Sequence, residues 1–246
     1  MRDLLWAIRR QIRRLSIDIS IFDVQSADYQ ILDLLRRREV THLIDAGANR
    51  GQFAHYMRLQ GYKAVIHSFE PLPDAFVELE RMAHADGGIR PHNVALSDQT
   101  GSSTFFVGSN DQTSSLQAAI DHSTPEIGLA RQIEVTTIRL EDLINDGTIA
   151  KKSLPHTVLK LDVQGHEMAV LRGCGKYICG FAGIFLETAI EKMYVGEADF
   201  AEIINFLNSN GYKIKAFKGG YFHPEIGNLM QIDILFENFQ NKNTSL

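Results

Sequence analysis

From residue 41 to residue 236 the chain alternates short apolar runs with longer amphipathic ones, and this alternation limits the fold more than any other feature. Strand-like runs occupy 41–46, 64–69, 92–96, 157–162, 183–188, 212–217 and 230–236. Helical periodicity marks 51–60, 73–84, 166–172 and 199–210. Strands that alternate with helices read as a mostly parallel sheet with helices on both faces. The punctuation agrees. Pro73 suits a first helical turn, and Gly61 and Gly211 suit the positions just after helices. The last two runs, "YKIKAF" and "QIDILFEN", are joined by "KGGYFHPEIGNLM", which reads as an antiparallel finish. The expectation is a seven-stranded α/β domain over 41–239 with an antiparallel last strand. Between 101 and 140 the pattern changes. "STFFV" and "IEVTTIRL" read as short strands around a polar stretch, either a lid or substrate loop or an ordinary surface excursion.

Residues 1–40 read as an N-terminal helical extension. Leu4, Leu5, Ile8, Ile12 and Leu15 recur at helical spacing, with Arg9, Arg10, Arg13 and Arg14 between them. Such a helix either packs on the domain or meets a membrane surface or a partner. A second helix is expected over Ala27 to Arg38, and 240–246 reads as a flexible tail. Net charge is −5, which gives the molecule no nucleic-acid footprint. No apolar run is long enough to span a bilayer, and the N-terminus lacks the uninterrupted apolar core of a secretory signal. With Cys174 and Cys179 as its only cysteines, the chain is expected to be cytoplasmic with reduced thiols. Nothing in the pattern sets the oligomeric state, so a homodimer stays open.

The stretch "THLIDAGANRGQF" ends the first strand in a carboxylate and a glycine-poor version of a nucleotide turn. A dinucleotide fingerprint would read G-x-G-x-x-G. Here the order is Asp45, Gly47, Asn49, Gly51, with Asn49 in place of the middle glycine. No Lys-Ser or Lys-Thr follows, so a phosphate-cradling P-loop is excluded. An upstream acid suits a ligand with positive charge, and Gly47 would let the backbone approach it closely. A sulfonium cofactor with an amino acid tail meets both demands. Ala48 and Phe53 complete the lining. Glu70, followed by Pro71, ends the second strand, where a carboxylate can accept bonds from a ribose diol. Ala95, Leu96, Ser97 and Asp98 end the presumed third strand and could meet an adenine.

The succession "LIDAGANRGQF", "SFEPLPDAF", "NVALSDQTG", "SSL" and "LKLDVQGHEMAVLRG" resembles the FkbM-type methyltransferases over about residues 41 to 238. The resemblance implies a Rossmann-like class I methyltransferase fold, S-adenosyl-L-methionine as cofactor, and O-methylation of a hydroxyl on a sugar, glycan, glycolipid or natural product. It would put Asp45, Gly47 and Gly51 on the methionine and ribose side, Glu70 on the ribose, and Ser97 and Asp98 near the adenine. Gln164 stands where that family often has an acid. A nicotinamide-dependent oxidoreductase would need the absent middle glycine. A non-catalytic binding module on the same fold is the other alternative.

"VLKLDVQGHE" reads as a buried strand running into a helix. Period-two alternation puts Lys160 and Asp162 on one face, and buried charges of this kind must pair or serve a site. Glu167 suits the first turn of the next helix. Methylating an alcohol requires removal of its proton, and a positioned base contributes roughly 10²–10⁴-fold. Asp162 is expected to organise the site or act as base, with His166 as runner-up and Lys160 and Glu167 in support. Ser114, Ser115, Gln164, Glu187, Tyr194 and His223 are the acceptor-side candidates. Asp162 and Glu187, ending neighbouring strands, could instead share a hard cation, but there is no run of closely spaced acids. No metal is expected.

Overall fold

The computed structural model describes residues 26–108, 114–120 and 129–240. The basic N-terminal run, the C-terminal tail and two pieces of the polar stretch lie outside the described residues. Helix α1 spans Ala27–Arg37 and is capped by Ser26, whose hydroxyl accepts the Tyr29 N–H at 3.5 Å. Strand β1 (His42–Ala46) leads to α2 (Gln52–Leu59), β2 (Val65–Phe69), α3 (Pro73–Ala85) and β3 (Ile89–His92). Strands β4 (Ala95–Ser97), β5 (Gly101–Gly108) and β6 (Leu129–Arg139) follow, then α4 (Leu140–Asn145), β7 (Thr157–Leu161) and α5 (Glu167–Gly173). Strand β8 (Gly183–Ala189), α6 (Phe200–Ser209), β9 (Tyr212–Phe222) and β10 (Leu229–Asn238) complete the order. Helix ends follow local chemistry. Pro73 opens α3, Gly61 follows α2 with φ +85°, and Asp199 and Glu202 form a reciprocal cap on α6.

Seven strands form one sheet in the order β3-β2-β1-β7-β8-β10-β9. Pairing is parallel from β3 through β8, and β10 runs antiparallel to both its neighbours. Alternation along the strands sorts the core. Ile44, Leu159, Leu161, Ile184, Leu186 and Ile234 pack on one face with Leu140 of α4, Leu171 of α5 and Leu207 of α6. Leu43, Ile66, Val158, Phe185 and Leu235 pack on the other with Leu34 of α1, Met57 of α2 and Leu79 of α3. Fully burying one such side chain stabilises the fold by roughly 1.5–3 kcal/mol. The expected doubly covered, mostly parallel sheet with its antiparallel last strand is what forms.

One element departs from the sequence reading. The run 92–96 is not a single third strand. Ile89–His92 joins the main sheet, and Ala95–Ser97 joins a separate three-stranded sheet of order β4-β6-β5. The break falls at Asn93, whose side-chain amide donates to the carbonyls of Glu70 at 2.9 Å and Pro71 at 3.3 Å. The strands expected around "STFFV" and "IEVTTIRL" are longer than the sequence suggested and form the antiparallel β5–β6 pair.

Candidate active site

The sheet register brings the first charged pair together. Asp45 of β1 lies beside Lys160 of β7 in parallel pairing, so both side chains point to the same face. Lys160 Nζ lies 3.0 Å from Asp45 Oδ1 and 3.6 Å from Asp162 Oδ2, and donates to the Gly47 carbonyl at 3.1 Å. Burial pulls the Lys160 ammonium down, but the carboxylates of Asp45 and Asp162 outweigh it and hold it above its ordinary range. Burial pushes the Asp45 carboxyl up, and Lys160 only partly offsets this. The sequence suggested a Lys160–Asp162 pair; Asp45 is the closer partner. Asp45 is fully buried, and its carboxylate pairs with Lys160.

Gly47 is confined by the chain itself. A Cβ there would lie 1.8 Å from the Asp162 carbonyl oxygen. The glycine is required there, with its φ of +73°, because the end of β7 closes on the turn. The Gly47 and Ala48 N–H groups both donate to the Phe69 carbonyl, at 3.1 and 3.0 Å. Asn49 takes φ +48°, and its N–H donates to Glu70 Oε2 at 2.8 Å. The other Glu70 oxygen accepts the Leu72 N–H at 2.7 Å. Glu70 thus joins the β1–α2 turn to the β2–α3 turn and keeps one lone pair per oxygen for a further donor. Burial pushes its carboxyl up to about 7 despite those two N–H groups. Gly51 precedes α2 against Met82 of α3. Phe53 stacks on Phe185 at 6.5 Å and lies 5.6 Å from Lys160 Nζ.

A second group gathers at the C-terminal ends of β7 and β8. The Gln164 amide nitrogen donates to Asp162 Oδ1 at 2.9 Å and to Glu187 Oε2 at 3.0 Å. Its oxygen accepts the Tyr194 phenol at 2.9 Å. The Ser115 hydroxyl donates to the Gln164 carbonyl at 2.5 Å. Asp162 is the solvent-facing member, with its side chain 46% exposed. Burial raises the Glu187 carboxyl well above the usual range, and Asp162, Glu167 and Asp233 raise it further. Asp233 is pushed up to about 6, first by burial and then by Asp162. Both carboxylates accept from the same amide, and among the described residues no group of three or more His, Cys, Asp or Glu is arranged to hold a metal ion.

His166 occupies a third position. Its Nε2 is 2.9 Å from the Ser97 hydroxyl and its Nδ1 is 3.2 Å from the Gln117 amide nitrogen. Burial pulls the imidazole down to about 4, so it is neutral at pH 7. It belongs with Ser97 and Asp98, on the side expected for adenine. Both ring nitrogens are engaged there, which weakens its claim as a base. Glu167 is buried, and its Oε1 accepts the Val163 N–H at 3.0 Å, which closes the loop from β7 into α5. Burial pushes its carboxyl up to about 8. Ala95 and Leu96 are core residues beneath this region. The Ser114 hydroxyl accepts the Gly108 N–H at 3.0 Å. His223 lies in the β9–β10 hairpin, where its Nδ1 accepts the Glu225 N–H at 3.2 Å; no described contact joins it to the Asp162 group.

The residues fit a donor-rich, cationic nucleoside. Asn49 Oδ1 is buried and accepts no hydrogen bond, and the Asp45 oxygens accept none beyond the ion pair with Lys160. With the free lone pairs of Glu70, these are acceptors around the turn that follows β1. Sequence reasoning missed Gln117, Glu197 and Asp233. Asp233 carries a legible signal, an acid on the same strand face as buried Leu235. Gln117 and Glu197 carry none, because loops bring them in.

A family model for the FkbM methyltransferase domain matches residues 45–214. The chain belongs to this family. It is a methyltransferase, and the family's cofactor is S-adenosyl-L-methionine. Among relatives of the FkbM domain, "Methyltransferase 1" of Beauveria bassiana is 25% identical over 77% of this chain and 79% of its own length. Hexuronic acid methyltransferase AglP of Haloferax volcanii is 30% identical over 62% of this chain and 63% of its own. The 2-O-methyltransferase NoeI of Sinorhizobium fredii is 26% identical over 73% and 76%. Among the described residues, no helix is long and apolar enough to cross a membrane.

Proposed function

We propose that this FkbM-domain enzyme O-methylates a hydroxyl of a sugar, glycan or glycolipid, or of a similarly hydroxylated natural product. The observation that carries the reading is the Gln164 amide spanning Asp162 and Glu187, with Tyr194 behind it. This row of polar groups at the strand ends suits a hydroxylated acceptor. Relatives named for hexuronic acid and for 2-O-methylation support it. Bound S-adenosyl-L-methionine supplies an electrophilic methyl on a positively charged sulfur. Asn49, Gly51 and Phe53 would border its amino acid end, Glu70 and Pro71 its ribose, and Ala95, Leu96 and Ser97 its adenine. Asp162 organises the acceptor hydroxyl and takes its proton, while Lys160 anchors Asp162 from the buried side. Ser114, Ser115, Glu187 and Tyr194 shape the acceptor side. Orienting acceptor and methyl contributes on the order of 7–11 kcal/mol. The two free cysteines suit action in the cytoplasm.

Labelled-methyl transfer into uronic acids, methyl glycosides, glycolipids and amine or thiol acceptors tests the reading. Label in acid- and base-stable ethers of the hydroxylated compounds is the expected result. Label confined to nitrogen or sulfur acceptors would overturn it.

A further inference from the structure

The acceptor-side group is held in place from behind by a residue remote in sequence. Glu197 is 3% exposed, and its Oε2 accepts the Met193 N–H at 2.7 Å and the Tyr194 N–H at 3.0 Å. The same segment is tied to the 114–120 stretch by the Ala119–Tyr194 bridge and by the Val195 N–H, which donates to the Ala118 carbonyl at 2.8 Å. Tyr194 is thereby laid across Gly165 and is 1% exposed. A Cβ at Gly165 would lie 2.8–2.9 Å from Tyr194 atoms, and φ there is +87°. Only glycine leaves room for the ring. The phenol donates to Gln164 Oε1, and burial, which raises it far above its ordinary range, keeps its proton in place.

A primary amide has one accepting end and one donating end. With its oxygen accepting from the Tyr194 phenol, Gln164 turns its nitrogen toward Asp162 and Glu187. We propose that Glu197 and Tyr194 are positioning residues for methyl transfer, locking the Gln164 amide so that its two N–H groups hold Asp162 and Glu187 as a fixed pair. This rests on the reading of Asp162 as the residue that meets the acceptor hydroxyl, and extends it. A flipped amide would turn its oxygen toward the Asp162 and Glu187 oxygens and give up both N–H bonds, so the lock matters electrostatically as well as sterically. The surroundings make that cost large. Glu187 faces Asp162, Glu167 and Asp233, with Lys160 as the cation in reach. Lys218 in turn lowers the proton affinity of Asp233.

The test uses Tyr194→Phe, Gln164→Glu, Glu197→Ala and Glu197→Gln in the full-length enzyme. One readout is kcat and KM against pH, and the other is a carboxyl ¹³C NMR titration that needs no acceptor. Tyr194→Phe is expected to lower kcat about tenfold at pH 6 and to shift the acid limb up by about one unit. Activity returns toward wild type at pH 9, and the KM for S-adenosyl-L-methionine stays within about twofold. Gln164→Glu moves the limb further in the same direction. Glu197→Gln keeps an oxygen for the two backbone N–H groups and restores what Glu197→Ala loses. In the NMR titration, Glu187 takes up its proton at higher pH in Tyr194→Phe. An equal loss of rate at every pH, an unmoved Glu187 titration, or a Glu197→Gln variant as damaged as Glu197→Ala would each overturn the proposal. A shifted Glu187 titration in an enzyme that methylates no hydroxyl would support the lock and defeat the acceptor reading instead.

Discussion

Lys160→Met removes the cation from a fully buried carboxylate while nearly keeping side-chain volume. Asp45 is 0% exposed, and its oxygen lies 3.0 Å from Nζ. At that distance the attraction is about 5 kcal/mol for an effective dielectric near 20. The variant does not lose all of it, because Asp45 can escape by taking up a proton. For a carboxyl with an unfolded pKa near 3.9, that costs about 4 kcal/mol at pH 7 and about 1.5 kcal/mol at pH 5. Losing the Lys160 N–H bond to the Gly47 carbonyl adds about 1 kcal/mol at either pH. The sign follows from proton counts. Burial raises the folded Asp45 carboxyl in both proteins, and without Lys160 it rises further. The variant therefore holds a proton that the unfolded chain releases, and it loses stability relative to wild type as pH rises. Urea unfolding at several pH values should show the deficit relative to wild type growing by up to about 1.4 kcal/mol per unit between pH 5 and 7. Adding Asp45→Asn should recover at least about 2 kcal/mol at pH 7, because a buried pair can be replaced together far more cheaply than it can be broken. A deficit equal at pH 5 and pH 7, unchanged by Asp45→Asn, would refute the account.

Asp162→Asn keeps an oxygen for the Gln164 amide, so thermal stabilisation by S-adenosyl-L-methionine should persist while turnover falls by roughly 10²–10⁴. Glu70→Ala leaves the Asn49 and Leu72 N–H groups without their acceptor and should cost about 2–4 kcal/mol of stability, together with most of the cofactor's thermal shift. His67 is buried beside His92 and is pulled down to about 4, first by burial and then by its histidine neighbours. Its contribution is therefore complete above the unfolded value near 6.5 and is lost as pH falls toward 4. His67→Leu should flatten acid unfolding in that window by about 1.4 kcal/mol per unit, read from urea midpoints.

Much of this molecule is written locally. Alternation along "THLIDA" and "VLKLD", Pro73 at a helix start and Gly61 after a helix are short-range features, and each reports on its own element. That is why the sheet, its two packed faces and the strand-end position of Asp45, Glu70 and Asp162 are legible from residues alone. The partners are not, because side chains meet through register and loop closure. Asp45 chose Lys160 through parallel pairing of strands more than a hundred residues apart. Gly47 accommodates the Asp162 backbone, and Glu70 is spent partly on two N–H groups, contacts that no spacing along the chain encodes. The amide of Gln164 is oriented by Tyr194, and Tyr194 by Glu197. Periodicity determines which face a residue takes, but only the folded chain decides which donor stands opposite which acceptor.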